Sequence, residues 1–428
     1  SSAASDVYKR QSEARGHEVY PVLFTHPANA DKDWAIKKLD PKITYFTREW
    51  GDNVDDWNSH NSPSRVARNW GEQAMLIQAW HYAAPNYPYT CYDVLYRTPR
   101  QHVGGCLWHS FDHQRGYHPD PFYGGLMDVF RQPKYSYCMF QAQRSPKKQD
   151  RLFETGPMVY IAHEMTPFSP KDVTVYSNCD EVRLTYNKGG KSLTYTKPVS
   201  REGMPSPIIT FKDVYNFMID KNMSMKEGRQ KEVFLLAEGL INGKVVATHK
   251  VCPARRPSKL LLWIDNENTE LKADGSDFVT VIAAIADKNG NIKRLNNYYV
   301  KFHIEGEGRI LGGANVLANP APVKWGTAPI LVQSTLKPGK IKITASVLFE
   351  GSQMPVSAEL ELESKPSAYP LIYASEEAAL IPMKSDSQSF PITAKSQKEL
   401  EKEKAVKEQN ERKLKEVEQQ QADFGEKK

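Results

Sequence analysis

The first third of the chain alternates between two hydrophobic periods. Apolar and β-branched runs at residues 19–24, 43–49 and 103–108 have the length and composition of strands. Residues 31–39 and 67–80 lie between these runs and place apolar side chains at helical spacing. The repeated order of strand, helix and strand is typical of a parallel sheet whose strands are joined by helices.

Three such strands are too few for a closed barrel of this kind, which needs eight. A turn followed by a helix at 124–143 and a charged linker at 144–151 come after the last of the three strands. We therefore predict that residues 12–146 form the C-terminal part of a (β/α)8 TIM barrel.

From about residue 155 the pattern changes to short strands without helices of note. Turn sequences at 187–190, 242–243 and 287–290 separate several of them. This pattern predicts two immunoglobulin-like β-sandwiches, at residues 153–255 and 257–365. The predicted strands are 158–162, 172–176, 181–186, 231–237, 244–251, 259–264, 278–285, 299–304, 330–334, 339–347 and 358–362.

Both ends of the chain differ from the part between them. Residues 366–428 are predicted to be a linker and a charged tail, whose apolar positions are too sparse for a coiled-coil seam. We expect a single solvated helix or a disordered extension there. Residues 1–11 are expected to be non-native or disordered, and we expect the natural chain to continue upstream.

Composition narrows the possible functions. Hydrophobic residues make up 40% of the 428 residues and aromatic residues 11%, which indicates a folded protein. The net charge of +6 is small, and the cations are mixed with acids, so no nucleic-acid surface is predicted. No apolar run approaches the roughly 20 residues that span a bilayer. The five cysteines are scattered and lack metal-ligand spacing, so we predict no metal site. The sequence also contains no phosphate-binding loop and no dinucleotide-binding motif.

Carboxylate, aromatic and imidazole side chains follow each other at the ends of two neighbouring predicted strands. Because parallel strands end at the same edge of a sheet, these side chains are expected on one rim. Aromatic faces beside carboxylates suit a sugar, which offers apolar C–H faces and hydroxyl edges together. The candidate site residues are Glu49, Trp50, Asp52, Trp108, His109, Asp112 and His113.

The same segments carry a family resemblance. In order and spacing, FTREWGD (46–52), GGCLWHSFD (104–112) and GGLMDVFRQPKYSY (124–137) resemble the last third of the catalytic barrel of glycoside hydrolase family two. That family includes β-galactosidases, β-glucuronidases and β-mannosidases. Three further segments resemble the C-terminal accessory domains of its Bacteroidetes-type β-galactosidase-like members: 157–162, 175–184 and 273–281. The resemblance covers about residues 17–364.

The resemblance implies retaining hydrolysis by two carboxylates about 5–5.5 Å apart. It places the nucleophile on Glu49; the alternative is a structural rim acid paired with Arg48. It places the sugar platform on Trp108, for which the alternative is a core position. Further substrate contacts fall on Trp50, Asp52, His109, Asp112 and His113, with satisfied loop residues as the alternative for the histidines.

The second carboxylate of the pair, the acid/base, is not found. In the family it follows an asparagine at the end of the fourth barrel strand, and no Asn-Glu pair precedes Glu49. The pairs at 266–267 and 410–411 fall in the second predicted sandwich and in the tail. The acid/base is therefore predicted to be absent from this chain, which is expected to be inactive on its own.

Taken together, the sequence predicts the C-terminal part of a retaining exo-β-glycosidase, β-galactosidase-like, acting on plant or algal galactosides. The expected partner is an oligosaccharide or polysaccharide. No cofactor is predicted, although Mg²⁺ or Na⁺ occurs near the site in some relatives. The resemblance favours a periplasmic or extracellular location. The alternatives are a β-glucuronide or β-mannoside substrate, or a non-catalytic carbohydrate-binding or interaction protein.

Overall fold

The architecture comes from a computed structural model and is rich in strands, with few helices. The residues that it describes are 22–25, 44–51, 63–83, 91–93, 102–114, 121–148, 155–197, 203–226, 228–265, 270–348 and 354–368. Among these residues, no helix is both long and apolar enough to cross a membrane.

A small parallel sheet begins the described part of the chain. Its strands are β1 (Val22–Thr25), β2 (Thr44–Trp50) and β3 (His102–Leu107), in the order β1-β2-β3. Helix α1 (Glu72–Ala83) lies between β2 and β3 in the chain, and helix α2 (Tyr135–Gln141) follows β3. The predicted parallel α/β unit is therefore confirmed. The helix predicted at 31–39 lies outside the described residues.

The two helices pack through one stripe each, because apolar side chains recur at helical spacing. On α1 the stripe includes Met75, Ala79 and Tyr82, and it shares a core cluster with Cys138 and Met139 of α2. Helix α1 begins later than the sequence indicated, at Glu72. A 3₁₀ turn at Arg68–Trp70 precedes it, and Gly71 at φ 94° separates the two.

The next part of the chain consists of two antiparallel sheets. Their orders are β4-β5-β8 and β10-β9-β6-β7. The elements are β4 (Val159–Ala162), β5 (Val173–Ser177), β6 (Glu181–Tyr186), β7 (Ser192–Thr196), β8 (Ile209–Phe211), α3 (Phe217–Met225), β9 (Leu235–Ile241) and β10 (Lys244–Val251).

One hydrophobic cluster joins the two sheets. Val175 of β5, Val182 and Leu184 of β6, and Leu235 of β9 are all buried in it. The alternation along β6 buries every second residue at its centre, as expected of a strand with one face toward a core. The β-sheet pattern predicted for this part is therefore confirmed.

Two local predictions in this part differ from the structure, and a third is confirmed. The sequence indicated no helix of note, yet α3 is present, and Asn216 caps it by accepting hydrogen bonds from the backbone N–H groups of Met218 and Ile219. The strand expected at 231–237 begins only at Leu235, because Arg229–Glu232 form a 3₁₀ turn. The turn at 242–243 is confirmed, with both residues at positive φ.

The third part again contains two packed sheets, in the orders β11-β13-β17-β15 and β12-β19-β18-β14-β16. Buried Val281, Ile330, Ile343 and Phe302 from both sheets share one cluster. The strands are β11 (Lys259–Asp265), β12 (Lys272–Ala273), β13 (Phe278–Ala286), β14 (Tyr299–Gly306), β15 (Gly308–Ile310), β16 (Ala321–Pro322), β17 (Thr327–Ser334), β18 (Gly339–Leu348) and β19 (Ala358–Pro366).

Buried Arg68 ties the third part to the parallel unit. Its Nε donates to the Asp128 carboxylate at 2.8 Å, and its Nη2 donates to Thr327 Oγ1 at 2.6 Å and to the Lys324 carbonyl at 3.0 Å. The Thr327 hydroxyl in turn donates to Gln132 Oε1 at 2.7 Å. A guanidinium is well suited to this arrangement, because it presents several donors in fixed directions.

Glu72, in the first turn of α1, joins the parallel unit to the loop that follows β4. Its carboxylate accepts hydrogen bonds from the Glu164 backbone N–H, at 3.0 Å, and from the Ser169 hydroxyl. Arg294 reaches the same place from the third part and donates to Glu164 Oε2 at 3.0 Å. Polar side chains therefore connect all three parts of the structure at one junction.

Glu72 is expected to make stability depend on pH. Burial raises the pKa of this carboxyl to about 7, against the opposing effect of its hydrogen bond from Ser169. The folded state therefore binds the Glu72 proton more tightly than the unfolded chain does. The stability contributed by this group falls as pH rises from the ordinary value of 4.5 through about 7.

We predict that Glu72→Gln abolishes this part of the pH dependence. The difference in unfolding free energy between the wild type and the variant should shift by up to about 3 kcal/mol between pH 4.5 and pH 8, in favour of the variant at high pH. Urea unfolding at several pH values measures it. Parallel pH profiles for the two proteins would contradict the prediction.

Candidate active site

The parallel pairing of β2 with β3 sets the geometry of the predicted rim. Thr47 is opposite Gly105 and Trp50 is opposite Leu107, and the Trp108 backbone N–H donates to the Trp50 carbonyl at 2.8 Å. The ends of both strands therefore lie side by side, as the sequence indicated. Glu49 is the penultimate residue of β2, and the structure describes its backbone only.

Trp50 lies in the aromatic core behind the sheet. Its indole is buried, with ring centroids 6.2 Å from Tyr92 and 6.0 Å from Phe140 of α2. Gly51 follows at φ 99°, where an added Cβ would meet Leu107 at 2.6 Å, so only glycine fits this turn. This packing is typical of a structural residue, and substrate contact by Trp50 stays a prediction. Asp52 lies outside the described residues.

Beyond β3, four rings form what we call the aromatic cluster: Trp108, His109, His113 and Phe122. The half-buried Trp108 lies 5.3 Å from His109 and 5.8 Å from His113, measured between ring centroids, and the two imidazoles are 4.5 Å apart. Phe122 lies 5.2 Å from His109. Three of the predicted site residues are therefore brought together.

Hydrogen bonds and a cation hold the aromatic cluster in place. Nδ1 of His109 lies 2.7 Å from the Phe111 carbonyl, which can only accept, so this nitrogen carries a proton. The Arg65 guanidinium lies 3.8 Å above the centre of the Phe122 ring, a cation–π contact. The cluster is therefore a fixed surface.

Asp112 points into the protein. Its Oδ1 accepts from Lys134 Nζ at 2.7 Å and from the Gly125 backbone N–H at 2.9 Å, and both charged side chains are almost fully buried. Burial raises the pKa of the Asp112 carboxyl to about 6 and lowers the pKa of Lys134. In this arrangement Asp112 fixes the loop beside the rim, and direct substrate contact by its carboxylate stays a prediction.

The turn at Gly124 and Gly125 lies directly against the predicted site. A Cβ on Gly124 would lie 2.8 Å from His109 Nε2, and a Cβ on Gly125 would lie 2.2 Å from the Asp112 backbone nitrogen. Tyr82 of α1 donates from its hydroxyl to the Gly124 carbonyl at 2.6 Å. Only residues without a side chain allow so close an approach.

Sequence reasoning missed the residues that support this rim. Gln78 of α1 donates to the carbonyls of Ser64 at 2.9 Å and Gly125 at 3.3 Å, and its Oε1 accepts from the Ser136 hydroxyl at 2.8 Å. Lys134 and Arg65 were missed as well. The one sequence signal that could have pointed to them is the glycine pair at 124–125. Such a pair allows another part of the chain to pack closely against the backbone, but it does not identify that part. No group of His, Cys, Asp or Glu within the described ranges could hold a metal ion.

The comparisons with known proteins find similarity to glycoside hydrolases. Residues 262–348 match the glycoside hydrolase family 2 C-terminal domain 5. A β-galactosidase of Thermoanaerobacter pseudethanolicus is 32% identical over 273 residues, covering 62% of this chain and 34% of the relative. β-Galactosidase BoGH2A of Bacteroides ovatus is 28% identical over 261 residues, covering 57% of this chain and 27% of the relative.

A solved structure shows the same fold. It is a β-glucuronidase from glycoside hydrolase family 2 with a TM-score of 0.54 and 19% identity, and the match covers 84% of this chain and 35% of that chain. The predicted resemblance to glycoside hydrolase family two is therefore confirmed. This chain spans about a third or less of the length of the curated relatives that it matches.

The buried pair of Lys134 and Asp112 gives a stability prediction for the rim. Lys134→Met should lower the unfolding free energy by about 3–5 kcal/mol, because it leaves an uncompensated buried carboxylate. The double variant Lys134→Met with Asp112→Asn should lose less, since no charge remains buried. Urea unfolding of the three proteins measures the difference. A single variant as stable as the double variant would contradict this account.

Proposed function

We propose that this chain is the C-terminal part of a retaining exo-β-glycosidase, β-galactosidase-like, that acts on plant or algal galactosides. Two relatives named β-galactosidase and the family-two domain match support the class of enzyme. In this proposal, residues 12–146 are the end of a TIM barrel, and residues 153–255 and 257–365 are immunoglobulin-like accessory domains. The paired ends of β2 and β3 are the observation that carries the proposal.

Glu49 is the proposed nucleophile. It is next to last in β2, at the edge where Trp108 follows β3. Successive residues of a strand belong to opposite faces of the sheet. Trp50 packs toward α2, the β2–β3 register shifts between Thr47 and Trp50, and position 49 is proposed to belong to the face opposite the helices. In a (β/α)8 barrel that face is the interior, where substrates bind near the strand ends.

The proposed reaction proceeds in two displacements. The Glu49 carboxylate forms an ester bond to sugar C1 as the bond from C1 to the leaving oxygen breaks, and that oxygen takes a proton from the acid/base. Water then attacks C1, gives its proton to the same acid/base, and releases the Glu49 carboxylate. The acid/base would come from a segment upstream of this chain, so the chain by itself would be inactive.

The aromatic cluster is proposed to form one wall of the sugar site. The half-buried Trp108 offers an apolar face for stacking, and the half-buried His113 beside it offers a hydrogen-bonding imidazole. His109 is proposed to add ring contact to this wall, because its Nδ1 already bonds the Phe111 carbonyl and its Nε2 is buried. Asp112 and Lys134 would act behind this wall by holding the loop that carries both histidines. A contact from Asp52 completes the proposed set, and Trp50, which packs on α2, would support the site from behind β2.

The full-length protein tests the proposed nucleophile. On 4-nitrophenyl β-galactoside, Glu49→Gln should lower kcat by at least about a thousandfold, whereas Glu181→Gln on β6 should leave it unchanged. With Glu49→Ala, added azide should restore turnover and give the α-glycosyl azide, because azide attacks C1 in place of the missing carboxylate. Undiminished turnover in Glu49→Gln would contradict the assignment.

The same assay separates the alternative functions. β-Glucuronide and β-mannoside substrates in the panel reveal a different sugar preference. A full-length protein that binds oligosaccharides and hydrolyses none of the substrates would favour a non-catalytic carbohydrate-binding protein.

The proposed platform gives a second kinetic prediction. Trp108→Ala should raise KM by about tenfold, with a smaller effect on kcat, because stacking supports both the bound substrate and the transition state. Trp80→Ala, which removes an exposed indole from α1, is the matched control. Equal kinetics for the Trp108 variant and the wild type would exclude this role.

A further inference from the structure

A cavity lies where the three parts of the structure meet. It has a volume of about 540 Å³, within the roughly 300–1,000 Å³ typical of ligand sites. We call it the junction cavity. Its lining comes from the start of α1, the loop after β4, the loop before β14 and the β16–β17 turn, and the residues used below are Trp70, Phe168, Trp325, Asn69, Gln73 and Arg294.

Aromatic side chains at the cavity expose unusually large surfaces. Trp70 is 49% exposed and Phe168 is 74% exposed. The Trp325 ring packs on Gly71, where an added Cβ would lie 3.2 Å from Cζ3 of the indole. Large apolar side chains exposed together beside polar groups are typical of ligand sites.

Hydrogen-bonding groups lie among these rings. Asn69, Gln73 and Arg294 line the same cavity. Arg294 donates from Nε to Glu164 at 3.0 Å and from Nη1 to the Trp325 carbonyl at 3.2 Å, so its guanidinium is held in one orientation. The amide of Gln73 lies 3.4 Å from the Phe168 carbonyl.

The wall that carries Phe168 is held before any ligand binds. Glu72 accepts from the backbone N–H of Glu164 and from the hydroxyl of Ser169, one on each side of Phe168 in the chain. Thr166 donates its N–H to Ser169 Oγ at 2.9 Å and closes the loop. Such preorganisation lowers the entropic cost of binding.

We propose that the junction cavity is a second carbohydrate site, which binds one or two units of a neutral oligosaccharide. Exposed aromatic faces suit the apolar C–H faces of a sugar, and the amides and the guanidinium suit its hydroxyl groups. A nucleic-acid strand would require a continuous cationic groove. Here the lining holds two cations, Arg294 and Lys324, and buried Glu72 lies beside Arg294. Asn69 and Gln73 are neutral, so the lining is not a continuous cationic groove.

The junction cavity adjoins the candidate active site without being part of it. Trp70 lies 5.5 Å from Tyr123, measured between ring centroids, and Tyr123 directly follows Phe122 of the aromatic cluster. A polysaccharide held in the cavity would therefore stay near the rim, which raises its effective concentration there. The sugar-binding proposal itself stands independently of Glu49 and of hydrolysis.

Titration calorimetry of the chain with galactotriose, cellotriose and mannotriose tests the proposal. At least one trisaccharide should bind, and Trp70→Ala and Phe168→Ala should each weaken that binding by about tenfold. The matched controls are Trp80→Ala and Phe278→Ala, which remove exposed rings that do not line the cavity. Both controls should bind as the wild type does.

Two further outcomes are decisive. Trp108→Ala should leave trisaccharide binding unchanged, which separates this site from the candidate active site, and full-length Phe168→Ala should keep its activity on 4-nitrophenyl β-galactoside. Trigalacturonate, an acidic trisaccharide, is titrated beside the neutral ones. The proposal is overturned if no neutral trisaccharide binds, whether or not trigalacturonate does, or if binding is undiminished in Phe168→Ala. If the chain binds a trisaccharide but the full-length protein hydrolyses no substrate, the proposed function is refuted and the carbohydrate site is not.

Discussion

The parallel register between β2 and β3 is the constraint on which the rest of the site depends. One backbone hydrogen bond, from Trp108 to Trp50, fixes how far each strand reaches at the shared edge. A shift of one residue in either strand would exchange the faces of the sheet. Trp50 would then leave the aromatic core behind the sheet.

The surrounding structure protects this register with buried polar groups. Lys134 and Asp112 fix the loop after β3, and Gln78 binds the carbonyls of the turn against it. At the junction, Arg68 and Glu72 connect the parallel unit to the two β-sheet parts. Replacing one partner in such a network leaves a buried polar group unsatisfied, so these contacts specify one arrangement of the three parts.

Local signals predicted much of the fold. The strands and the 242–243 turn follow from side-chain alternation and from residues that accept positive φ, which are properties of neighbours in sequence. Helix α3 was missed because its segment mixes Asp, Lys, Asn and Ser with its apolar residues, so the apolar stripe is weak. The support of the site depends on residues distant in sequence, such as Arg68 and Thr327, which are 259 positions apart. Helical and strand periods carry no information about such pairs.

Glu49 is proposed to form a covalent bond to the sugar, and trapping of that intermediate is the sharpest test of this role. A 2-deoxy-2-fluoro-β-galactoside with a good leaving group slows the second displacement more than it slows the formation of the ester. After reaction with the full-length protein, peptide mass mapping should place the fluorosugar on the peptide that contains Glu49. A label on another carboxylate would contradict the account.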